Sequence, residues 1–337
     1  MLLNDVHLNL TSLKNKILNV TADSFELVAL EVFRYQYNHV TVYRDWVDLM
    51  KVNPKEVTSI RDIPFLPISA FKTYKISDSQ NSPEIIFESS GTTLSTTSKH
   101  LVHDLAFYNQ VSKSIFESFY GDLKDYCILA LLPSYLERNN SSLVYMVDHF
   151  IIVSKHEQSG FYLDNFEALH KQLIRNKKNI VKTLLIGVSF ALLDFIEEYS
   201  IEFKDLIVME TGGMKGRRKE LPREELHKIL QKGFGVNAIH SEYGMTELLS
   251  QSYSKGNGLF FPGNTIKILT KEITDPLQTT SIGSSGVINI IDLANVQSCA
   301  FIETSDLGKV YNDGSFEILG RIDYSDIRGC NLMVSDL

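Results

Sequence analysis

Residues 85–100 read Ile-Ile-Phe-Glu-Ser-Ser-Gly-Thr-Thr-Leu-Ser-Thr-Thr-Ser-Lys-His. A short apolar run, Ile85 to Phe87, leads into a hydroxyl-dense loop with one glycine and one lysine, and a helical pattern starts near Asp104. Strand, polar loop and helix in that order make the repeating unit of an α/β sheet. The loop's chemistry suits a polyphosphate: Gly91 lets backbone amides approach closely, the hydroxyls donate to phosphate oxygens, and Lys99 adds charge. It is not the G-x-x-x-x-G-K-[ST] nucleotide loop, since the second glycine and the Lys-Ser/Thr pair are missing. Ser/Thr-rich runs also serve as connectors and helix caps, so the loop alone leaves both readings open.

From this stretch the alternation continues downstream. Apolar runs at 84–88, Cys127–Leu132, Val181–Gly187, Leu206–Met209 and Val236–His240 read as strands, with helical patterns over 104–120, 163–178, 190–199 and 219–232 between them. This predicts an α/β fold with a largely parallel sheet flanked by helices, whose ligands lie beyond the carboxyl ends of the strands. Upstream, residues 1–60 form a helical segment with an apolar set of Phe25, Leu27, Leu30, Phe33 and Tyr37. Beyond residue 256 the texture changes to short strands with glycine turns (Gly258–Phe261, Thr265–Leu269, Gly286–Ile291, Ser315–Leu319), which predicts a small β subdomain. The expected division is a helical segment 1–60, an α/β core 61–255 and a β-rich subdomain 256–337.

Bulk properties exclude several classes. At 337 residues, 44% hydrophobic and 22% charged, the chain is globular in composition, able to bury roughly three quarters of its unfolded surface. A net charge of −8 without a long basic block argues against nucleic acid as a partner. Only Lys215-Gly-Arg-Arg-Lys219 gathers positive charge, enough for a small anion or simply a solvated helix start. No run approaches the ~20 apolar residues of a membrane span, and Met-Leu-Leu-Asn-Asp does not open a secretory signal. Three cysteines without paired spacing fit a reduced, cytoplasmic setting.

Two more polar loops follow predicted strands. Glu210-Thr-Gly-Gly-Met-Lys-Gly216 presents paired glycines, Gly212 and Gly213, whose flat backbone suits a planar ring, though an ordinary strand-to-helix turn reads the same way. Ser241-Glu-Tyr-Gly-Met-Thr-Glu247 sets a carboxylate and a hydroxyl beside Gly244, a combination able to hold Mg²⁺ and a phosphate oxygen together. In the β region, Asp306 within Glu303-Thr-Ser-Asp-Leu-Gly308 reads as a turn residue able to accept from both ribose hydroxyls, and Arg321 can pair with ribose or phosphate. Loops at successive strand ends converge on one crevice.

The order and spacing of these pieces resemble the adenylate-forming superfamily of acyl-CoA synthetases, luciferases and related ligases. Ser89-Ser-Gly-Thr-Thr93 resembles its phosphate loop, Tyr243-Gly-Met-Thr-Glu247 its Y-G-x-T-E signature, Thr304-Ser-Asp306 its T-G-D and Gly320-Arg-Ile-Asp323 its G-R-x-D hinge. Within that superfamily, Ile63-Pro-Phe-Leu-Pro-Ile68 with Phe71-Lys72, the segment Leu136–Met146 and the ending Arg328-Gly-Cys-Asn-Leu332 resemble the LuxE-type acyl-protein synthetases, a likeness covering about residues 60–337. The resemblance implies an adenylate-forming N-terminal-domain-like core. It also implies roles: Ser89, Ser90, Gly91, Thr92, Thr93 and Lys99 on the β- and γ-phosphates, Gly212 and Gly213 flanking adenine, and Tyr243 with Gly244 near the base. Thr246 would touch the α-phosphate, Glu247 would hold Mg²⁺, and Asp306 and Arg321 would bind ribose. The implied reaction is attack of a carboxylic acid, fatty in the LuxE type, on the α-phosphate of ATP, giving acyl-AMP and pyrophosphate. Acyl transfer would follow to Cys330 or to a partner such as a reductase or carrier protein.

The sequence departs from the superfamily pattern at several positions. Leu94 stands where a second loop glycine is usual, Lys99 comes about two residues late, Ser305 replaces the glycine before Asp306, and Ser241 stands where an asparagine often meets adenine. The chain stops eight residues after Gly329, where full-length ligases continue into a domain carrying a catalytic lysine; the expectation is an adenylating core without that domain. Arg328, two residues from Cys330, offers roughly 1 kcal/mol at a surface, too little to ionise a thiol that starts near pKa ~8.5. Attack would therefore lean on the reactivity of acyl-AMP. Cys127 and Cys299 sit in apolar runs and read as core. Two rival readings stay open: a non-catalytic or carrier-dependent subunit that binds acyl-AMP, and a serine hydrolase using Ser189 of Gly187-Val-Ser-Phe-Ala191 with Asp205, His227 or His240.

Overall fold

The computed structural model describes residues 9–78, 82–89, 97–132, 140–212, 218, 221–273, 275 and 278–322. Three N-terminal helices, α1 (Leu10–Leu18), α2 (Phe25–His39) and α3 (Thr41–Leu49), precede a two-residue strand β1 (Leu66–Pro67), a short helix α4 (Ala70–Thr73) and a hairpin of β2 (Ile85–Glu88) and β3 (Lys99–Val102). An alternating run follows: α5 (Leu105–Tyr120), β4 (Cys127–Leu131), α6 (Ser142–Ser154), β5 (Gly160–Phe161), α7 (Phe166–Lys178), β6 (Thr183–Val188), α8 (Ser189–Glu198), β7 (Ile207–Thr211), α9 (Arg223–Phe234) and β8 (His240–Tyr243). The last part holds β9 (Ser252–Ser254), β10 (Leu259–Pro262), β11 (Ile266–Lys271), β12 (Ser285–Asp292), β13 (Phe301–Val310) and β14 (Phe316–Arg321).

Strands β5, β4, β6, β7 and β8 lie side by side and parallel. Every residue of β4 and β6 is buried, as expected of strands covered on both faces by crossover helices. From β8 the sheet reverses and continues antiparallel through β9, β10, β14, β13, β12 and β11. Together with β1, which pairs with β13, the described residues form one twelve-stranded sheet. The expected α/β architecture is present, and its β-rich part is joined to the parallel part by continuous hydrogen bonding across β8, β9 and β10.

Several local expectations differ from the structure. Strand β2 and helix α5 stand where the sequence placed them, but a second strand comes between: β2 and β3 pair antiparallel, Glu88 opposite Lys99, so Lys99 lies on a strand. In α2, Phe25, Leu30 and Phe33 are buried as expected, but Leu27 is 61% exposed, and the buried face also takes in Val28, Ala29, Val32, Tyr35 and Gln36. Strand β8 begins at His240 rather than Val236, because Gly235 (φ +63°) caps α9 and the Val236 amide still bonds back to the Gln231 carbonyl. Asp306 is not in a turn. It lies inside β13, where pairing to β12 and β14 on both sides overrides the turn preference of Ser-Asp-Leu-Gly. Helix α6 had no sequence counterpart; Ser141 caps it by accepting from the Val144 amide. No helix of the described residues is long and apolar enough to cross a membrane.

The N-terminal helices dock on the antiparallel part. Phe33, Tyr43 and Phe65 pack around Phe301 with ring centroids 5.7–6.2 Å apart. Gln36, fully buried, donates to the carbonyls of Asn295, Val296 and Ser298 and accepts from the Ala300 amide.

Candidate functional site

Tyr243 ends the last parallel strand. Its ring packs against Phe260 and Phe316 at 5.8 and 5.5 Å, which fixes where the hydroxyl points. That hydroxyl donates to Asp306 Oδ2 at 2.8 Å, and burial with the Asp306 carboxylate beside it holds its pKa well above the ordinary tyrosine value, so it stays a donor. Asp306 and Arg321 face each other across β13 and β14, and Arg321 Nε donates to Asp306 Oδ1 at 3.1 Å. Each carboxylate oxygen keeps acceptor capacity, so the group can receive a pair of vicinal hydroxyls while held from two sides. Two motifs 63 residues apart thus meet at one carboxylate.

The turn after Tyr243 is held by the hairpin. His100 on β3 brings Nδ1 to 2.8 Å from the Thr246 carbonyl. Ser98 hydrogen-bonds the Glu247 carboxylate, and Asn295 Nδ2 donates to the Glu247 carbonyl at 2.7 Å. Glu247 is buried, which pushes its carboxyl pKa upward, with the Ser98 hydroxyl opposing. Ser89 stays at the hairpin base, its Oγ accepting from the Ser98 amide at 2.9 Å. Lys99 is exposed, with its amine 3.9 Å from Glu88.

The third component lies at the ends of β6, β7 and β8. Gly212 follows β7 with φ +70°, a conformation costly for any side chain, and its carbonyl accepts from Ser189 Oγ at 2.8 Å. Thr211 lies opposite Glu242 and donates to its Oε2 at 2.5 Å. Burial lifts the Glu242 carboxyl to about 7, with Thr211 opposing and Glu210 adding to the rise. A Cβ at Gly244 would collide with Glu242 Oε1, so the glycine of this motif makes room for a neighbouring carboxyl.

The structure therefore brings together Tyr243, Gly244, Thr246, Glu247, Asp306 and Arg321, and joins the hairpin base to them. Ser90, Gly91, Thr92, Thr93, Gly213 and Cys330 lie outside the described residues. Cys127 and Cys299 are buried, and burial pushes the Cys299 thiol up to about 12. The hydrolase geometry is not formed among the described residues. Ser189 Oγ gives its proton to the Gly212 carbonyl and meets Glu210, while His227 reaches Glu210 and Ser241, and His240 meets Tyr120. His100, Asn295, Ser98, Ser189, Thr211 and Glu242 were not singled out for this site from the sequence.

Among the described residues no three His, Cys, Asp or Glu side chains gather to hold a metal ion by themselves. One buried carboxylate, Glu247, beside hydroxyl donors suits Mg²⁺, which is commonly held by one or two carboxylates and completes its shell with phosphates and water.

Over residues 18–337 the sequence matches the family described as Acyl-protein synthetase, LuxE. The long-chain-fatty-acid–luciferin-component ligase of Aliivibrio fischeri is 25% identical over 344 aligned positions, covering 91% of this chain and 86% of that protein. Among solved structures, 2-hydroxyisobutyryl-CoA ligase in the postadenylation state in complex with R3-HIB-AMP superposes with a TM-score of 0.64 at 11% identity, over 92% of this chain and 70% of the other. ATP-bound MatB from Rhodopseudomonas palustris gives a TM-score of 0.52 at 17% identity, over 72% of this chain, which spans about half (49%) of that protein's length. These likenesses fix the fold as that of the adenylate-forming ligases.

Proposed function

The chain belongs to the LuxE acyl-protein synthetase family, and we propose that it activates a fatty acid with ATP as acyl-AMP and passes the acyl group to a protein thiol. The observation that carries this reading is the meeting of Tyr243, Asp306 and Arg321 on one side with Thr246, Glu247 and the hairpin on the other. A diol-accepting carboxylate on β13 and a hydroxyl-carboxylate pair in the turn after β8 match the ribose and phosphate ends of a nucleotide.

In this reading Asp306 accepts from the ribose hydroxyls while Tyr243 and Arg321 hold its carboxylate in place. Gly212, held through its carbonyl by Ser189, offers its flat backbone to adenine. Thr246 donates to the α-phosphate. Glu247 is the residue that would hold Mg²⁺, whose charge would offset that of the phosphates. The acid's carboxylate oxygen attacks the α-phosphorus, the bond to the bridging oxygen breaks, and pyrophosphate leaves. The protein's part is positioning and neutralisation of the growing charge. Cys330 is the proposed acceptor: its sulfur attacks the acyl carbonyl, the thiol proton is lost and AMP departs.

Acid-dependent exchange of labelled pyrophosphate into ATP tests the first half. Exchange with long-chain acids, abolished in Asp306→Ala and Glu247→Gln, is expected; a flat response to every carboxylic acid would instead favour a subunit that binds acyl-AMP made elsewhere. For the second half, labelled fatty acid and ATP should leave a hydroxylamine-labile label on the wild type that is missing from Cys330→Ala. Label retained in that variant moves the acceptor to another residue.

A further inference from the structure

The turn that bears Thr246 and Glu247 is fixed by its carbonyls. His100 is 1% exposed, and its Nδ1 lies 2.8 Å from the Thr246 oxygen. A carbonyl only accepts, so the proton of the neutral ring sits on Nδ1. The ring is buried and also meets the Asn295 side chain, so the two residues that hold this turn touch each other, a polar pairing that an apolar residue at 100 could not make. Asn295, also 1% exposed, spends an amide hydrogen on the next carbonyl, that of Glu247, at 2.7 Å. Two buried donors from separate elements, β3 and the segment after β12, therefore grip consecutive carbonyls of a single turn. Neither side chain belongs to the motif they hold.

We propose that His100 and Asn295 are positioning residues that lock the Thr246–Glu247 turn, so that hydroxyl and carboxylate are presented to the nucleotide phosphates and their metal in one geometry. The assignment rests on the adenylating reading above. His100 adds a second effect, since β3 is one arm of the hairpin whose base carries Ser89 and Ser98. A ring bonded across to Thr246 makes the hairpin and the turn one rigid unit. Freeing the turn would leave adenine and ribose contacts intact and loosen only the phosphate end.

The experiment uses the full-length protein and isosteric replacements. His100→Asn puts an amide donor near the place of Nδ1; His100→Gln puts it near Nε2; His100→Leu has none. Asn295→Asp keeps the shape but cannot donate at neutral pH. We expect His100→Leu, His100→Gln and Asn295→Asp each to slow acid-dependent pyrophosphate exchange about 10- to 100-fold and to raise the half-saturating Mg²⁺ severalfold, with KM for the acid unchanged. His100→Asn should recover to within about threefold of wild type. Binding of MnATP, followed by the paramagnetism of the metal, should weaken in the same order, a readout independent of turnover. Thermal midpoints of the Asn and Gln variants identify a mere loss of folding. Indistinguishable Asn and Gln variants, or an unchanged Mg²⁺ requirement in His100→Leu, overturn the assignment while wild-type exchange persists. No Mg²⁺-dependent exchange in the wild type overturns the adenylating reading and the assignment with it.

Discussion

Glu242 stands opposite Tyr253 on the paired strands β8 and β9, its carboxyl held by Thr211 and pressed against Gly244. Burial lifts its pKa from 4.5 to about 7. Between those values the folded protein keeps a proton that the unfolded chain has released, so stability falls as pH rises through the window and the loss is complete above pH 7. Glu242→Gln removes that loss. Urea unfolding should find the variant close to wild type at pH 5 and more stable by about 2 kcal/mol at pH 8. An equal gap at both pH values would mean that the carboxyl is ionised throughout. At this scale the sequence was legible for the side chains proposed to meet the nucleotide: Tyr243, Thr246, Glu247, Asp306 and Arg321 stand in short motifs whose residue types and spacing can be read directly. His100 and Asn295 were not. They hold backbone carbonyls, a task open to many donors at no set distance along the chain.

Helix α2 shows the same division between elements that declare themselves and contacts that do not. Its helical pattern and most of its buried face were evident, yet Leu27 is exposed, and nothing in sequence revealed that Gln36 faces the protein interior. That side chain satisfies three carbonyls and one amide of the segment 295–300. Gln36→Leu, similar in bulk, should cost about 3 kcal/mol or more because it strands buried backbone groups, measured by chemical denaturation. A loss under 1 kcal/mol would show that water replaces the amide. Strand β13 was misread for a related reason. Its Ser-Asp-Leu-Gly text favours a turn locally, while partners on both sides, distant in sequence, make it a strand. Local pattern identified β4 and β6 well, since full burial leaves an unbroken apolar run.

For the whole molecule the continuous sheet matters more than the change of texture at residue 256. Strands β8 to β10 hydrogen-bond across residue 256, and Phe33 of α2 packs against Phe301 of β13. The single tryptophan, Trp46 on α3, reports on the N-terminal helices, donating to the Phe65 carbonyl at 2.9 Å. If one core holds all parts, Trp46 fluorescence and far-ultraviolet circular dichroism should follow superimposable urea transitions. An earlier fluorescence transition would mark the helices as a separately unfolding unit.

The pairing of β14 with β13 places Arg321 beside Asp306, so β14 ends at the rim of the proposed nucleotide site. Cys330 lies nine positions beyond Arg321, a reach of at most about 32 Å. In the proposed transfer the thiol is thus leashed to the place where acyl-AMP forms, and short tethers give local concentrations on the order of millimolar. A weakly ionised sulfur would then compete with water through sheer proximity, and its rate of acylation would not depend on how dilute the protein is.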